Sequence, residues 1–137
     1  MKTIELFSDT KELAPFREKL RKELGEAHVP DKNIADIVLA VDEGLTNIIR
    51  HAYDGDNQRK IQVNLDIDEE AIQITLCDSG KKFDPTLRPD PELPPTKPGG
   101  LGIHFMRKLM DKVEYDKEFQ DGNRLKLTKF KDWINSK

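Results

Sequence analysis

The stretch VDEGLTNIIRHAY, residues 41–53, decides how this chain folds. Together with the residues before it, its apolar side chains recur at helical spacing, which predicts one amphipathic helix beginning near Pro30 or Asp31. The opposite face of this helix carries an acid and an amide one turn apart, Glu43 and Asn47. On its own the pair also fits an ordinary solvated helix face, so its meaning depends on the rest of the chain.

Length and composition predict a single soluble, cytoplasmic domain. The 137 residues can form one proper core, and a net charge of -3 without a basic stripe argues against direct nucleic-acid binding. The single cysteine, Cys77, excludes an internal disulfide and the usual cysteine-based zinc sites. No apolar stretch resembles a signal peptide or a membrane span, so we expect no membrane partner.

The remaining patterns predict a two-layer α+β sandwich, with about three helices on one face of a mixed, mostly antiparallel sheet. Two hairpins argue against a doubly wound parallel sheet. The predicted elements are a strand near 4–7, a helix ending near Gly25, the helix that includes residues 41–53, strands 61–67 and 72–76 joined by a turn at 68–70, a loop at about 81–100, a helix from Leu101 to about Lys112, and strands 113–119 and 125–130 with a turn at 121–123 between them.

Asp78, Ser79 and Gly80 stand where the second strand of the first hairpin ends. All three are ordinary turn residues, and a simple turn would account for them. A buried carboxylate at Asp78 could instead accept a hydrogen bond from the exocyclic amine of a base, with Gly80 giving the backbone room near the ring. These residues alone leave both interpretations open.

A long loop and a glycine-rich segment follow. Residues 81–100 contain six prolines, and a loop of this length inside a compact domain is usually functional or disordered. It ends in GGLG, residues 99–102, which is either a plain helix entry or an anion cradle whose backbone N–H groups face phosphate. Inside a helix Gly102 would cost about 1 kcal/mol of stability relative to Ala. The anion cradle is therefore at least as well supported as the plain helix entry. Neither a P-loop nor a GxGxxG motif after a strand occurs.

Taken together and in this order, the three groups resemble the N, G1 and G2 boxes of the GHKL ATPase superfamily. The segments EGLTNIIRHAY, DSGKKFDP and GGLGIHFMRKLMDKVEY, at residues 43–53, 78–85 and 99–115, are similar to the bacterial anti-sigma factor serine/threonine kinases. The resemblance covers essentially the whole chain. One departure is Lys82, which stands where the wider superfamily often has a second glycine.

The resemblance implies a Bergerat-type fold that holds ATP and Mg²⁺ between the helices and a lid at about 81–100. By position it gives each residue a role: Asn47 binds Mg²⁺, Glu43 is the general base, Asp78 recognises adenine with Gly80 beside it, and Gly100, Leu101 and Gly102 bind the phosphates. Thr128, on the last strand, is a candidate support for Asp78.

The implied function is that of an anti-sigma factor with ATP-dependent protein serine/threonine kinase activity in a partner-switching system. Such a protein phosphorylates an anti-sigma factor antagonist, binds a sigma factor and forms a homodimer. Two alternatives remain, a catalytically weak ATP-binding module that sequesters a protein partner, and a plain ATPase. Glu43 separates a kinase from a module, because a module needs no base.

Overall fold

The computed structural model describes residues 1–88 and 101–134, without the side chain of Leu101. Its strands are β1 (Lys2–Phe7), β2 (Lys60–Ile67), β3 (Ala71–Asp78), β4 (Lys112–Tyr115) and β5 (Asn123–Phe130). Its helices are α1 (Leu13–Glu26), α2 (Asp31–Asn47) and α3 (Leu101–Leu109). Short 3₁₀ turns lie at Thr10–Glu12, Pro85–Leu87 and Asp132–Ile134, and a π-helical turn at Ile48–Ala52 directly extends α2.

The strands form one five-stranded sheet in the order β1-β2-β3-β5-β4. Every neighbouring pair is antiparallel, and the three helices cover one face, which confirms the predicted fold class. The hairpin between β2 and β3 closes at Asp68, whose Oδ1 accepts hydrogen bonds from the backbone N–H groups of Glu70 and Ala71 at 2.7 and 2.8 Å. In the register of β3 against β5, Asp78 lies directly opposite Asn123.

The core lies between the sheet and the helices. Alternate side chains of β2 and β3 are buried there, among them Ile61, Ile74 and Leu76, and they pack against buried residues of the helices such as Leu20 and Val41. Burying a Leu, Ile or Val side chain stabilises a fold by about 1.5–3 kcal/mol relative to leaving it in water. The two layers are therefore held together by the apolar residues that recur with period 2 in the strands and period 3.6 in the helices.

Several boundaries differ from the sequence predictions. α3 ends at Leu109 instead of Lys112, because the Asp111 N–H donates to the Thr128 carbonyl at 2.8 Å and Lys112 already pairs with β5. β4 ends at Tyr115 instead of reaching 119. Of the predicted lid, residues 81–88 are described, whereas residues 89–100, including Gly100, lie outside the described part of the chain. Among helices in the described ranges, none is long and apolar enough to cross a membrane.

Candidate functional site

The π-helical turn brings the end of α2 against the end of β3. Its wider backbone spacing is seen in the hydrogen bond from the Tyr53 N–H to the Ile48 carbonyl, at 2.9 Å. The carbonyl of Ala52 accepts a hydrogen bond from the Lys81 N–H at 3.0 Å, which ties the turn to the chain just after β3. Single-turn π segments of this kind are frequent at functional sites.

Gly80 lies in the tightest part of this junction. A Cβ atom built on Gly80 would be 2.4 Å from the Ala52 carbonyl oxygen and 2.9 Å from the Tyr53 ring. The room that we expected Gly80 to leave for a ligand ring is thus taken by the backbone of the π-helical turn. A contact between Gly80 and a nucleotide stays a prediction.

We expect Gly80→Ala to lower the free energy of unfolding by about 2 kcal/mol, because the added methyl group meets backbone that cannot rotate away. Urea unfolding followed by circular dichroism measures this change. The matched control is Gly25→Ala, where a Cβ atom has nothing within 4 Å and should be neutral or stabilising by up to about 1 kcal/mol. Equal stabilities for the two variants would contradict the close packing at Gly80.

Asp78, the last residue of β3, is 6% exposed. Its Oδ1 accepts hydrogen bonds from the Gly80 N–H at 2.8 Å and from Asn123 Nδ2 at 2.9 Å. Its Oδ2 is buried and has no hydrogen-bond partner among the described residues. Burial raises the pKa of Asp78 above its ordinary value, although the hydrogen bonds from Asn123 and Gly80 act in the opposite direction. Burying a carboxylate oxygen without a hydrogen-bond partner costs free energy of folding. Such an oxygen indicates a position where a ligand could donate a hydrogen bond.

Asp78 and Asn47 line the same small cavity. Its other lining residues are mostly apolar and come from α2, the π-helical turn, β3, β4, β5 and the segment after β3: Gly44, Ile48, Ala52, Leu76, Phe83, Pro85, Tyr115, Asn123 and Leu125. The cavity has a volume of about 20 Å³, room for roughly one water molecule. A planar base is larger than this volume, so its entry would require some of the lining residues to move outward.

The segment at 83–85 is held over the cavity by stacking. The rings of Phe83 and His51 lie 4.3 Å apart at an interplanar angle of 14°. Burial lowers the pKa of His51, and the positive charges of Arg88, Arg50 and Lys81 lower it further. His51 therefore favours its neutral form, which suits a flat contact with an apolar ring.

Glu43 and Asn47 face the first turn of α3. A Cβ atom on Gly102 would lie 3.0 Å from Glu43 Oε2, and 3.7 Å from both side-chain polar atoms of Asn47. Within the described residues neither of these two side chains has a hydrogen-bond partner. Burial raises the pKa of Glu43, the nearby Asp42 raises it further, and Arg50 opposes both. A carboxylate with a raised pKa and free oxygens can accept a proton from a bound hydroxyl.

The structure therefore brings the predicted residues together in two linked groups. Asn47 and Asp78 share the cavity, and Asn47 also lies with Glu43 beside Gly102. Leu101 begins α3, next to this second group in sequence. In the described parts of the chain, no cluster of three or more His, Cys, Asp or Glu could hold a metal ion, so Mg²⁺ at Asn47 would need phosphate and water oxygens as its other ligands.

The prediction for Thr128 is wrong. Thr128 pairs with Gln73 and Lys112, five positions along β5 from Asn123, and its buried hydroxyl has no partner among the described residues. Asn123 supports Asp78 instead. The turn predicted at 121–123 includes Asn123, and its contact with Asp78 follows only from the strand register, which sets the two residues opposite each other.

Residues 6–129 match the family model of the histidine kinase-like ATPase domain. The chain belongs to this family. Membership agrees with the antiparallel sheet, the three helices on one face and the order of the three motifs. It confirms the resemblance to the GHKL superfamily.

Within this family the chain is similar to proteins named serine-protein kinase RsbW. Two from Bacillus licheniformis are 30% and 33% identical over 106 and 108 residues, and the matches cover 72% of this chain and 65% of each relative. One from Listeria innocua is 31% identical over 113 residues, covering 76% of this chain and 68% of the relative. The chain thus spans slightly less than two thirds of the Bacillus relatives.

Two solved structures share the fold of this chain. The RsbU and RsbW domains of Rv1364c from Mycobacterium tuberculosis match with a TM-score of 0.65 and 18% identity, over 95% of this chain and 32% of that chain. The histidine kinase domain of the Erythrobacter litoralis EL346 blue-light activated histidine kinase matches with a TM-score of 0.56 and 18% identity, over 85% and 59%. At this identity the likeness concerns the fold alone.

Proposed function

We propose that the chain is an ATP-dependent protein serine/threonine kinase that acts as an anti-sigma factor. The observation that carries the nucleotide part is the buried Oδ2 of Asp78, which has no partner in the described parts of the chain and lies in a cavity that also reaches Asn47. The similarity to proteins named serine-protein kinase RsbW supports the kinase part. Acceptor, partners and catalytic roles all belong to this proposal.

The cavity is the base-binding end of the proposed site. Asp78 Oδ2 can accept a hydrogen bond from an exocyclic amine, and the apolar side chains of Ile48 and Leu125 can pack on the faces of a flat ring. An unpaired acceptor inside a mostly apolar cavity suits adenine, which presents one exocyclic amine and a large apolar surface. Outward movement of residues 83–85 would make room for the ring.

Glu43, Asn47 and the first turn of α3 form the proposed phosphate end. Mg-ATP, when bound, supplies the γ-phosphoryl group. The amide oxygen of Asn47 would be a ligand of the metal, and the N-terminal end of α3 favours negative charge. The small Gly102 leaves the oxygens of Glu43 accessible at this end.

Glu43 would act on the hydroxyl of the acceptor side chain. The serine or threonine oxygen forms a bond to the γ-phosphorus while the bond from that phosphorus to the bridging β-phosphate oxygen breaks, and ADP leaves. The hydroxyl proton passes to Glu43, whose raised pKa fits it for the transfer. Positioning and charge neutralisation supply most of the remaining rate enhancement.

The proposed acceptor is an anti-sigma factor antagonist, and the second proposed partner is a sigma factor. A homodimer and a cytoplasmic location are part of the same proposal. They rest on the implied family function, with no direct nucleic-acid or membrane contact required.

Incubation of the chain with γ-labelled ATP, Mg²⁺ and a candidate antagonist tests this function. We expect the label on a serine or threonine of the antagonist, and none when Mg²⁺ is removed by a chelator. Tight ATP binding without label on the antagonist would favour a sequestering module instead. Release of labelled phosphate without a protein acceptor would favour a plain ATPase.

A further inference from the structure

Asn123 is a buried amide whose hydrogen-bonding capacity is fully used. It is 5% exposed and begins β5, opposite Asp78. Its Nδ2 donates to Asp78 Oδ1 and to the Lys81 carbonyl, both at 2.9 Å. Its Oδ1 accepts from the Phe83 N–H at 2.9 Å and from the Tyr115 hydroxyl. Two donors and two acceptor positions are all that an asparagine side chain offers.

These four partners determine which way the amide points. Rotating it by half a turn would set its oxygen against two acceptors, Asp78 Oδ1 and the Lys81 carbonyl, and its NH₂ group against the Phe83 N–H. The NH₂ group must therefore face Asp78. Because no donor or acceptor is left over, Asn123 cannot itself hydrogen-bond a ligand.

The consequence falls on Asp78. Asn123 and the Gly80 N–H both hold Oδ1, and this leaves Oδ2 as the carboxylate oxygen without a partner in the described residues. A carboxylate fixed in this way presents one acceptor in one direction. A carboxylate free to rotate would offer both oxygens in many directions and would discriminate poorly between bases.

We propose that Asn123, itself held by the hydroxyl of Tyr115, is a positioning residue that makes the site select a base with an exocyclic amine. This inference rests on the proposed nucleotide site and adds a determinant of its specificity. The ligand class is a 6-aminopurine nucleotide. A base with a carbonyl at that position would bring its oxygen against Asp78 Oδ2 and bind weakly.

The test compares ATP with purine riboside triphosphate, which is ATP without its 6-amino group. A hydrogen bond to a charged group makes the wild type prefer ATP by about 10- to 100-fold in Kd at neutral pH. Asn123→Ala should lower this ratio by at least about threefold, because Oδ1 of Asp78 then loses one of the two hydrogen bonds that fix the carboxylate. A merely structural role would weaken both nucleotides equally and keep the ratio. Isothermal titration calorimetry measures both constants.

Two further variants make the result decisive. Thr128→Val alters another buried polar residue of β5, has no hydrogen bond to Asp78, and should keep the wild-type ratio. Tyr115→Phe keeps the ring but removes the hydroxyl that donates to Asn123, so it should lower the ratio by a smaller factor. If Asn123→Ala does not fold, the Tyr115→Phe ratio decides the question.

The pH profile provides a second measurement. Burial raises the pKa of Asp78, and the hydrogen bond from Asn123 lowers it. Without that hydrogen bond, Asp78 should become protonated at a higher pH. As the pH falls, Asn123→Ala should therefore lose ATP affinity before the wild type does. An unchanged ATP preference in a folded Asn123→Ala protein, or in Tyr115→Phe if the former does not fold, would overturn this inference alone. A wild type that binds neither nucleotide would instead overturn the proposed function, and this inference with it.

Discussion

Replacing Glu43 with Gln is expected to slow phosphoryl transfer by about 10²- to 10⁴-fold while ATP affinity changes by less than about threefold. The amide keeps the size of the side chain but cannot accept the proton of the attacking hydroxyl. Single-turnover transfer from γ-labelled ATP gives the rate, and calorimetry gives the affinity. Because the pKa of Glu43 is raised, the wild-type rate should fall as the pH drops through a value above that of an ordinary carboxyl group. The variant should lack this dependence.

Asp36→Asn is the matched control for Glu43→Gln. Asp36 is also a half-buried acid on α2, two helical turns before Glu43, and no described contact links it to the site. It should transfer phosphate at the wild-type rate. Normal transfer by Glu43→Gln would show that Glu43 is not the base, and an equal loss in both variants would point to a general effect of charge on the helix.

Asp78→Asn is expected to weaken ATP binding by about 100-fold, the second large effect. The asparagine oxygen can still accept from Gly80 and Asn123, so its NH₂ group takes the place of Oδ2 and faces the donor of the adenine amine. A base with a carbonyl at that position should gain affinity relative to ATP. Measuring the Kd of wild type and variant for ATP and for inosine triphosphate tests this change of base preference. An unchanged Kd for ATP in Asp78→Asn would refute the role of Asp78.

The same substitution should change how stability depends on pH. Burial raises the folded-state pKa of Asp78, so the folded wild type binds this proton more tightly than the unfolded chain does. The wild type therefore gains stability relative to Asp78→Asn as the pH falls through that raised pKa, and the gain ends below the unfolded value of about 3.9. Urea unfolding of both proteins between pH 8 and 4 should show this trend. A difference that does not vary with pH would mean that Asp78 is not shifted.

The elements of this fold were largely predictable because their signals are local. The apolar spacing before Asn47 predicts α2, and the alternation on either side of Asp68 predicts the hairpin, since burial of one face explains both patterns. Grouping Asp78 with Asn47 required the family resemblance, because residues from different elements show no common period. Their roles in binding remain predictions.

What could not be predicted depends on contacts between distant parts of the chain. The close approach of Gly80 to Ala52 follows from a π-helical turn, which ordinary helical spacing does not reveal. The support of Asp78 by Asn123 follows from the register of β3 on β5, whereas DGN reads locally as a turn. α3 also ends earlier than predicted because of strand pairing, since Lys112 pairs with Thr128 of β5.

The position of β5 in the sheet also bears on how the protein is made. β5 lies between β3 and β4, although it follows both in the chain, and it contributes Asn123 and Leu125 to the cavity. A chain still emerging from the ribosome can pair β1, β2 and β3, but β3 then presents an unpaired edge, a liability for aggregation. The proposed nucleotide site is complete only after β5 has inserted between β3 and β4. The proposed nucleotide would therefore bind to, and stabilise, only those molecules in which β5 is already in place.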